Sequence, residues 1–195
     1  MNARTDVRPF AQLDQDRLIL AYLNQKRNGK FLDIGCGPPI FNSSTALLEI
    51  EFDWSGVAID IVEDTDTKTW TSRPNTNLII ADALLINYED LCDKYFADNE
   101  IDFLSLDLEP PEITFDILKK FPFHKYKPKV IAYETDSYRD NGEQRDMETI
   151  KFMHNLGYSL RAKLYPRLEH LFLSDCNCQD HIYVRTDVLI AETNR

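Results

Sequence analysis

The sequence lacks the features that would place it in several large classes of protein. No window approaches the run of about 18 apolar residues that a membrane span requires. The opening "MNARTDVRPF" has no apolar core of the kind that marks a secretory signal. A cytoplasmic protein with no membrane partner is the expectation. Positive charge is also short: 22 lysines and arginines face 33 aspartates and glutamates, for a formal charge of −11. Neutralising phosphates needs a basic surface, so nucleic acid is not the expected partner. Cysteine is scarce. Cys36, Cys92, Cys176 and Cys178 do not make the dense framework of a disulfide scaffold. Cys176 and Cys178, with His170 and His181 close by, raise a zinc reading. Their spacing is narrower than usual zinc pairs and no second pair exists elsewhere. Ordinary strand or loop residues are favoured, and no metal is expected.

There is no repeat and no low-complexity linker either. What remains is a chain of 195 residues, 43% apolar and 11% aromatic, long enough for one domain with one buried core. Strand-like runs recur at 30–35 (KFLDIG), 56–61 (GVAIDI), 77–82 (NLIIAD), 101–109 (IDFLSLDLE) and 129–135 (KVIAYET). Helix-compatible stretches fall between them at 43–52, 88–97 and 112–121, the first opening on serines suited to an N-cap. A further helix is expected over about 11–27. Two late runs, 158–164 and 181–187, lack a clear helix between them and suit an antiparallel hairpin at one edge.

Strand–helix alternation of this kind predicts an α/β fold: a mostly parallel, seven-stranded, Rossmann-like sheet with helices on both faces. Ligands of such sheets sit beyond the carboxyl ends of the strands. That rule selects Asp33–Pro39, Asp60–Ile61, Asp82–Ala83, Asp107–Glu112 and Glu134, and every one of these strand ends carries a carboxylate.

The first strand runs into "DIGCGPPI". A dinucleotide fingerprint from Gly35 would need glycine at position 40, which is Ile40, and no Walker-type G-K-[ST] follows. A nicotinamide oxidoreductase stays open as an alternative, since Asp60 would serve a ribose in either case. Asp33-Ile34-Gly35-Cys36-Gly37 instead resembles the first motif of S-adenosylmethionine-dependent methyltransferases. That cofactor carries no phosphate, so prolines at 38 and 39 are tolerable. The resemblance implies Asp33, Gly35, Cys36 and Gly37 around the methionine and ribose. It also implies Asp60 with Ile61 at the ribose, Asp82 with Ala83 at the adenine, and Asp107 near the methyl group. The alternative for each acid is a solvated strand end or a helix cap, and cofactor binding is the favoured reading.

Longer segments are similar to FkbM-type methyltransferases. They are "QLDQDRLILAYLNQKRNGKFLDIGCG", "NSSTALLEIEFDWSGVAIDI" and above all "IDFLSLDLEPPEITFDILKKFPFHKYKPKVIAYET". The likeness runs from about residue 12 to 185. The sequence departs from the family pattern at Pro110, where Glu-Gly is usual, and at Asp60, where Glu is usual. The resemblance implies one domain over 1–195, with a cofactor half at about 28–100 and an acceptor half at about 101–195. It also implies methyl transfer to a hydroxyl on a sugar or other small molecule.

An alcohol needs a positioned base, and Asp107 and Glu109 share a face if the strand continues through Glu109. The expected catalytic set is therefore Asp107, Glu109 as base or hydroxyl ligand, and Glu134. His181 is a further candidate for reaching the acceptor. A cofactor-binding module without catalysis stays open beside this, motivated by Pro110-Pro111. Nothing in the sequence specifies an oligomeric state.

Overall fold

A computed structural model describes residues 9–61, 69–135, 142–165 and 179–193. Seven strands form one sheet: β1 (Lys30–Ile34), β2 (Ser55–Asp60), β3 (Thr76–Ile80), β4 (Phe103–Leu106), β5 (Val130–Thr135), β6 (Tyr158–Leu164) and β7 (Gln179–Arg185). Their order is β3-β2-β1-β4-β5-β7-β6. The first five run parallel, while β7 lies antiparallel between β5 and β6. The expected fold class and edge hairpin are therefore present.

The helices are α1 (Gln15–Tyr22), α2 (Ala46–Phe52), α3 (Tyr88–Tyr95), α4 (Pro111–Lys120), α5 (Gly142–Asn155) and α6 (Thr186–Thr193). Alternation along the buried strands sorts side chains to two faces. Phe31, Phe103, Val130, Ile182 and Val184 pack with Ile19 and Leu20 of α1 and Leu47 and Leu48 of α2. Leu32, Val57, Leu104, Ile131 and Tyr183 pack on the other face with Leu91 of α3, Ile117 of α4 and Met153 of α5. Trp54 is fully buried in the first layer, and its indole N–H donates to Lys26 O at 2.8 Å. Trp70 packs against Cys36 and Ala58. Both tryptophans are core residues.

Four boundaries differ from expectation, each for a local reason. Helix α1 covers eight residues instead of 11–27, because Asp14, Asn24, Gln25 and Asn28 all adopt positive φ. Strand β4 ends at Leu106, so Asp107 and Glu109 leave the ladder and strand alternation does not relate their side chains. Helix α5 carries a weak sequence signal because it buries Asp146 and Thr149 beside Met153. The run read to 187 as a strand turns helical at Thr186. The serines do not supply the N-cap of α2: that position is Thr45, which makes no side-chain cap hydrogen bond, while Ser43 Oγ, two residues earlier, accepts from Ala46 N–H at 3.2 Å.

Asp102, 1% exposed, ties the amino-terminal ends of the central strands together. It accepts from Lys26 and Lys129 at 2.7 and 2.8 Å and from Lys30 N–H at 2.9 Å. Desolvation pushes its carboxyl upward, but these donors outweigh it and hold Asp102 below the usual carboxylate range.

Candidate active site

The site begins with the turn after β1. Gly35 has φ +80° and Gly37 φ +56°, conformations that L side chains avoid. The turn is tied to β2 by three N–H donors. Gly35 and Cys36 donate to Ile59 O at 2.9 and 3.1 Å, and Gly37 donates to Asp60 Oδ2 at 2.9 Å. Beneath it lies Arg73, fully buried. Its guanidinium donates to Pro39 O at 2.7 Å, to Glu49 Oε2 at 2.5 Å and to Thr45 Oγ1 at 3.1 Å. Thr45 in turn donates to Asp33 Oδ2 at 2.8 Å. Nothing in the sequence singles out Arg73, because its partners Pro39, Thr45 and Glu49 lie more than twenty residues before it. The Pro38-Pro39 turn is thus held by a buried cation on a proline carbonyl, where a glycine-rich loop would use N–H groups.

Two spaces open above this turn. The larger is a cleft of about 480 Å³ between the tips of β2, β1 and β4. It is lined by Gly35, Gly37, Asp60, Ile61, Asp82, Ala83, Asp107 and Glu109, all predicted from sequence, with Ile59, Ala81, Leu108 and Ile113 as apolar wall. Asp82 also caps the 3₁₀ turn Ala83–Leu85, accepting from Leu84 N–H at 2.8 Å. Pro110 and Pro111 open helix α4 as N-cap and first residue. The first N–H groups of a helix have no intrahelical partner, so prolines cost little there. Glu112, in the same turn, pairs with Arg145 at 3.0 Å.

The smaller space is a polar recess of about 30 Å³ on the α1 side of the sheet. Asp33, Cys36 and Glu134 line it rather than the cleft. Gly35 and Asp107 border both. Gln12, Gln15, Asn42, Ser44, Ser105 and Asp180 add polar groups to its wall, and Leu106 and Ala132 complete it. Asp33 is 2% exposed, and burial pushes its carboxyl up to about 6 against the opposing hydrogen bond from Thr45 and the charge of Arg73. Burial also pushes the Cys36 thiol far up, so it stays protonated.

His181 does not reach either space. It is fully buried on the opposite face of β7, with Nδ1 3.1 Å from Tyr183 Oη and Nε2 3.4 Å from Asp146 Oδ2. Desolvation lowers its pKa to about 4, so the ring is neutral near pH 7. Its neighbour Asp180, which sequence reasoning missed, takes the place on the recess side. Burial, followed by the negative charge of Asp107, pushes Asp180 up to about 7, with Gln15 as its hydrogen-bond donor. Among the described residues no group of three or more His, Cys, Asp or Glu is arranged to hold a metal ion, and no helix is long and apolar enough to cross a membrane. His170, Cys176 and Cys178 lie outside the described residues.

No protein-family model matches the chain, and no curated protein matches its sequence. Solved structures do match its fold. A putative rRNA methylase from Clostridium thermocellum has a TM-score of 0.57 at 16% identity, over 91% of this chain and 97% of that one. A protein of the NADB-Rossmann superfamily from Streptococcus agalactiae gives 0.56 at 13%, over 94% and 71%. Aeropyrum pernix fibrillarin, solved with natively bound S-adenosyl-L-methionine, gives 0.55 at 14%, over 82% and 67%. The fold is that of the Rossmann-like methyltransferases.

Proposed function

We propose that the protein is an S-adenosylmethionine-dependent methyltransferase acting on a hydroxyl of a small, uncharged acceptor such as a sugar. The carrying observation is the composition of the cleft. It brings two positive-φ glycines and four carboxylates, Asp60, Asp82, Asp107 and Glu109, around a space of about 480 Å³, with no lysine or arginine among the described residues that line it. A volume in the range of small-ligand sites, acidic at one end and walled by Ile59, Ile61, Leu108 and Ile113, suits a nucleoside bearing positive charge. A pyrophosphate would face acids without a counter-charge. Bound there, the cofactor supplies an electrophilic methyl group.

The chain's own residues have distinct parts in this reading. Gly35 and Gly37 keep the turn low so that backbone meets the cofactor closely. Asp60 accepts hydrogen bonds from the ribose diol, and Asp82, beside Ala83, accepts from the adenine amino group. Asp107 stands at the junction of cleft and recess, where the acceptor oxygen meets the methyl group. Glu109, exposed at the mouth, holds the acceptor, with Glu134 behind it. Holding the oxygen in line is itself a large share of the acceleration. The same acid lining, with the overall charge of −11, supports a partner other than nucleic acid. The FkbM resemblance supports a sugar-like hydroxyl as acceptor and division into a cofactor half (28–100) and an acceptor half (101–195).

Calorimetry tests the reading. S-adenosylhomocysteine should bind and NAD should not. Asp60→Ala should weaken binding by about 100-fold or more, since hydrogen bonds to a charged acceptor contribute about 1.5–3 kcal/mol each. Glu109→Gln should keep cofactor affinity and lower turnover. A wild-type protein silent to S-adenosylhomocysteine ends the methyltransferase reading. Normal binding and turnover in both variants ends the site assignment.

A further inference from the structure

We propose that the polar recess receives the acceptor's reacting hydroxyl and that Asp180 Oδ1 is the base that takes its proton. The inference rests on the methyltransferase reading and assigns its acceptor end. Asp180 is the second residue of β7, opposite Glu134 in the antiparallel pairing with β5, so both carboxylates stand at the edge where the parallel strands end. Asp180 is 7% exposed, and Gln15 Nε2 donates to its Oδ2. The residue is more than nine-tenths buried and lines the recess. A buried carboxylate needs donors, and a hydroxyl held in the recess supplies one. The recess offers room of water size, since about 10–15 Å³ admits one water. Its volume of about 30 Å³ therefore takes a hydroxyl and not a ring.

The recess wall also selects the ligand's charge. Asp33, Cys36, Asp107 and Glu134 face Asp180 from β1 and its turn, from the end of β4 and from β5, while the amides of Gln12, just before α1, and Gln15, its first residue, face it from the remaining side. Among the described residues, no lysine or arginine lines it. Lys163, on the neighbouring strand, is turned to Asp146 on the other face. A phosphate or carboxylate would meet only like charge here. An alcohol donates to Asp180, and further hydroxyls find Asn42, Ser44 and Ser105. Asp180 is poised near neutrality, where a base combines a useful ionised fraction with useful proton affinity. In the reaction the acceptor oxygen forms its bond to the methyl carbon as the carbon–sulfur bond breaks. That electron pair stays on sulfur, and the hydroxyl proton passes to Asp180 Oδ1 and later to water. Gln15 acts as a positioning residue, favouring the charged form of Asp180.

The experiment compares wild type, Asp180→Asn and Gln15→Ala with S-adenosylmethionine and a panel of methyl glycosides, matched amino sugars and sugar phosphates. Binding of S-adenosylhomocysteine is measured in parallel. A methyl glycoside should be methylated in preference to its phosphate or amine. Asp180→Asn keeps the Gln15 hydrogen bond through its carbonyl oxygen. It should hold S-adenosylhomocysteine normally while turnover falls by about 10²–10⁴-fold, the usual worth of a positioned base. Wild-type kcat should rise with pH to a plateau with a midpoint near 7. That dependence should vanish in Asp180→Asn and move upward in pH in Gln15→Ala. Loss of S-adenosylhomocysteine binding in Asp180→Asn would give the recess to the cofactor and overturn the proposal. So would unchanged turnover, a preferred phosphate or amine, or no methylated glycoside while S-adenosylhomocysteine binds. Wild type that binds no S-adenosylhomocysteine would instead remove the reading beneath it.

Discussion

The two glycines of the first turn should respond very differently to the same added methyl group. A Cβ built on Gly35 lies 1.7 Å from Asp107 O and 2.7 Å from Asp107 C, whereas one built on Gly37 meets no atom within 4 Å. A carbon–oxygen contact settles near about 3.3 Å, so Gly35→Ala must drive the Asp107 carbonyl back by roughly 1.5 Å. That movement strikes the junction where Asp107 N–H donates to Ile34 O at 3.0 Å and Ile34 pairs with Leu106. Three costs add up. A left-handed alanine costs about 1–2 kcal/mol, a lost backbone hydrogen bond about 1 kcal/mol, and strain in a close-packed layer about 1–3 kcal/mol. Gly35→Ala should therefore lose about 3–6 kcal/mol, much of a typical domain's stability. Gly37→Ala pays only the conformational cost, about 1–2 kcal/mol. It keeps the N–H that donates to Asp60. Urea denaturation measures both. Calorimetry with S-adenosylhomocysteine should then show Gly37→Ala folded but weakened in binding, since its methyl enters the cleft. Stabilities for the two variants within about 1 kcal/mol of each other would refute the close approach of β1 and β4.

Two further perturbations probe what holds the turn. Arg73→Met leaves the Glu49 carboxylate, 2% exposed, without its cation, and should destabilise the protein by about 3–5 kcal/mol in urea denaturation. Arg73→Met with Glu49→Leu should recover much of that loss, while S-adenosylhomocysteine affinity stays low in both because Pro39 O has lost its donor. Asp33 sets a pH dependence. Its folded pKa of about 6 stands above 3.8, so its contribution to stability is full below pH 3.8 and is lost as pH rises through 6. Denaturation between pH 4 and 7 should show a decline that Asp33→Asn reduces by up to about 3 kcal/mol, at about 1.36 kcal/mol per pKa unit.

Where a fold rests on local pattern, the sequence carries it plainly. Runs such as KFLDIG and KVIAYET are buried on both faces and so are continuous in apolar residues, which makes the parallel strands stand out. The carboxylates at their tips depend on chain direction alone, so Asp60, Asp82 and Asp107 are legible without a structure. Helix α5 escapes the same reading because its inward face includes Asp146 and Thr149, the former satisfied by a tertiary partner, Thr135. Arg73 escapes because a buried arginine is visible only once Glu49, Pro39 and Thr45 converge on it.

Asp180 shows how the strand-end rule can pass over a residue that stands at the same edge. In a parallel strand the carboxyl end meets the ligand edge, so attention falls on the residue after the apolar run. Strand β7 runs the other way, and its register with β5 sets Asp180 against Glu134 and Gln179 against Thr135. The ligand edge therefore receives the first residues of β7, not the last. Period-two alternation then separates neighbours: Asp180 turns to the recess, and His181 turns to Asp146 and Tyr183. Histidine attracts attention as a base, but at this position the layer beneath the sheet desolvates it and leaves it neutral. The aspartate beside it is the group that a proton-donating acceptor can meet. An antiparallel strand inserted into a parallel sheet thus brings its first residues, not its last, to the edge where the parallel strands end.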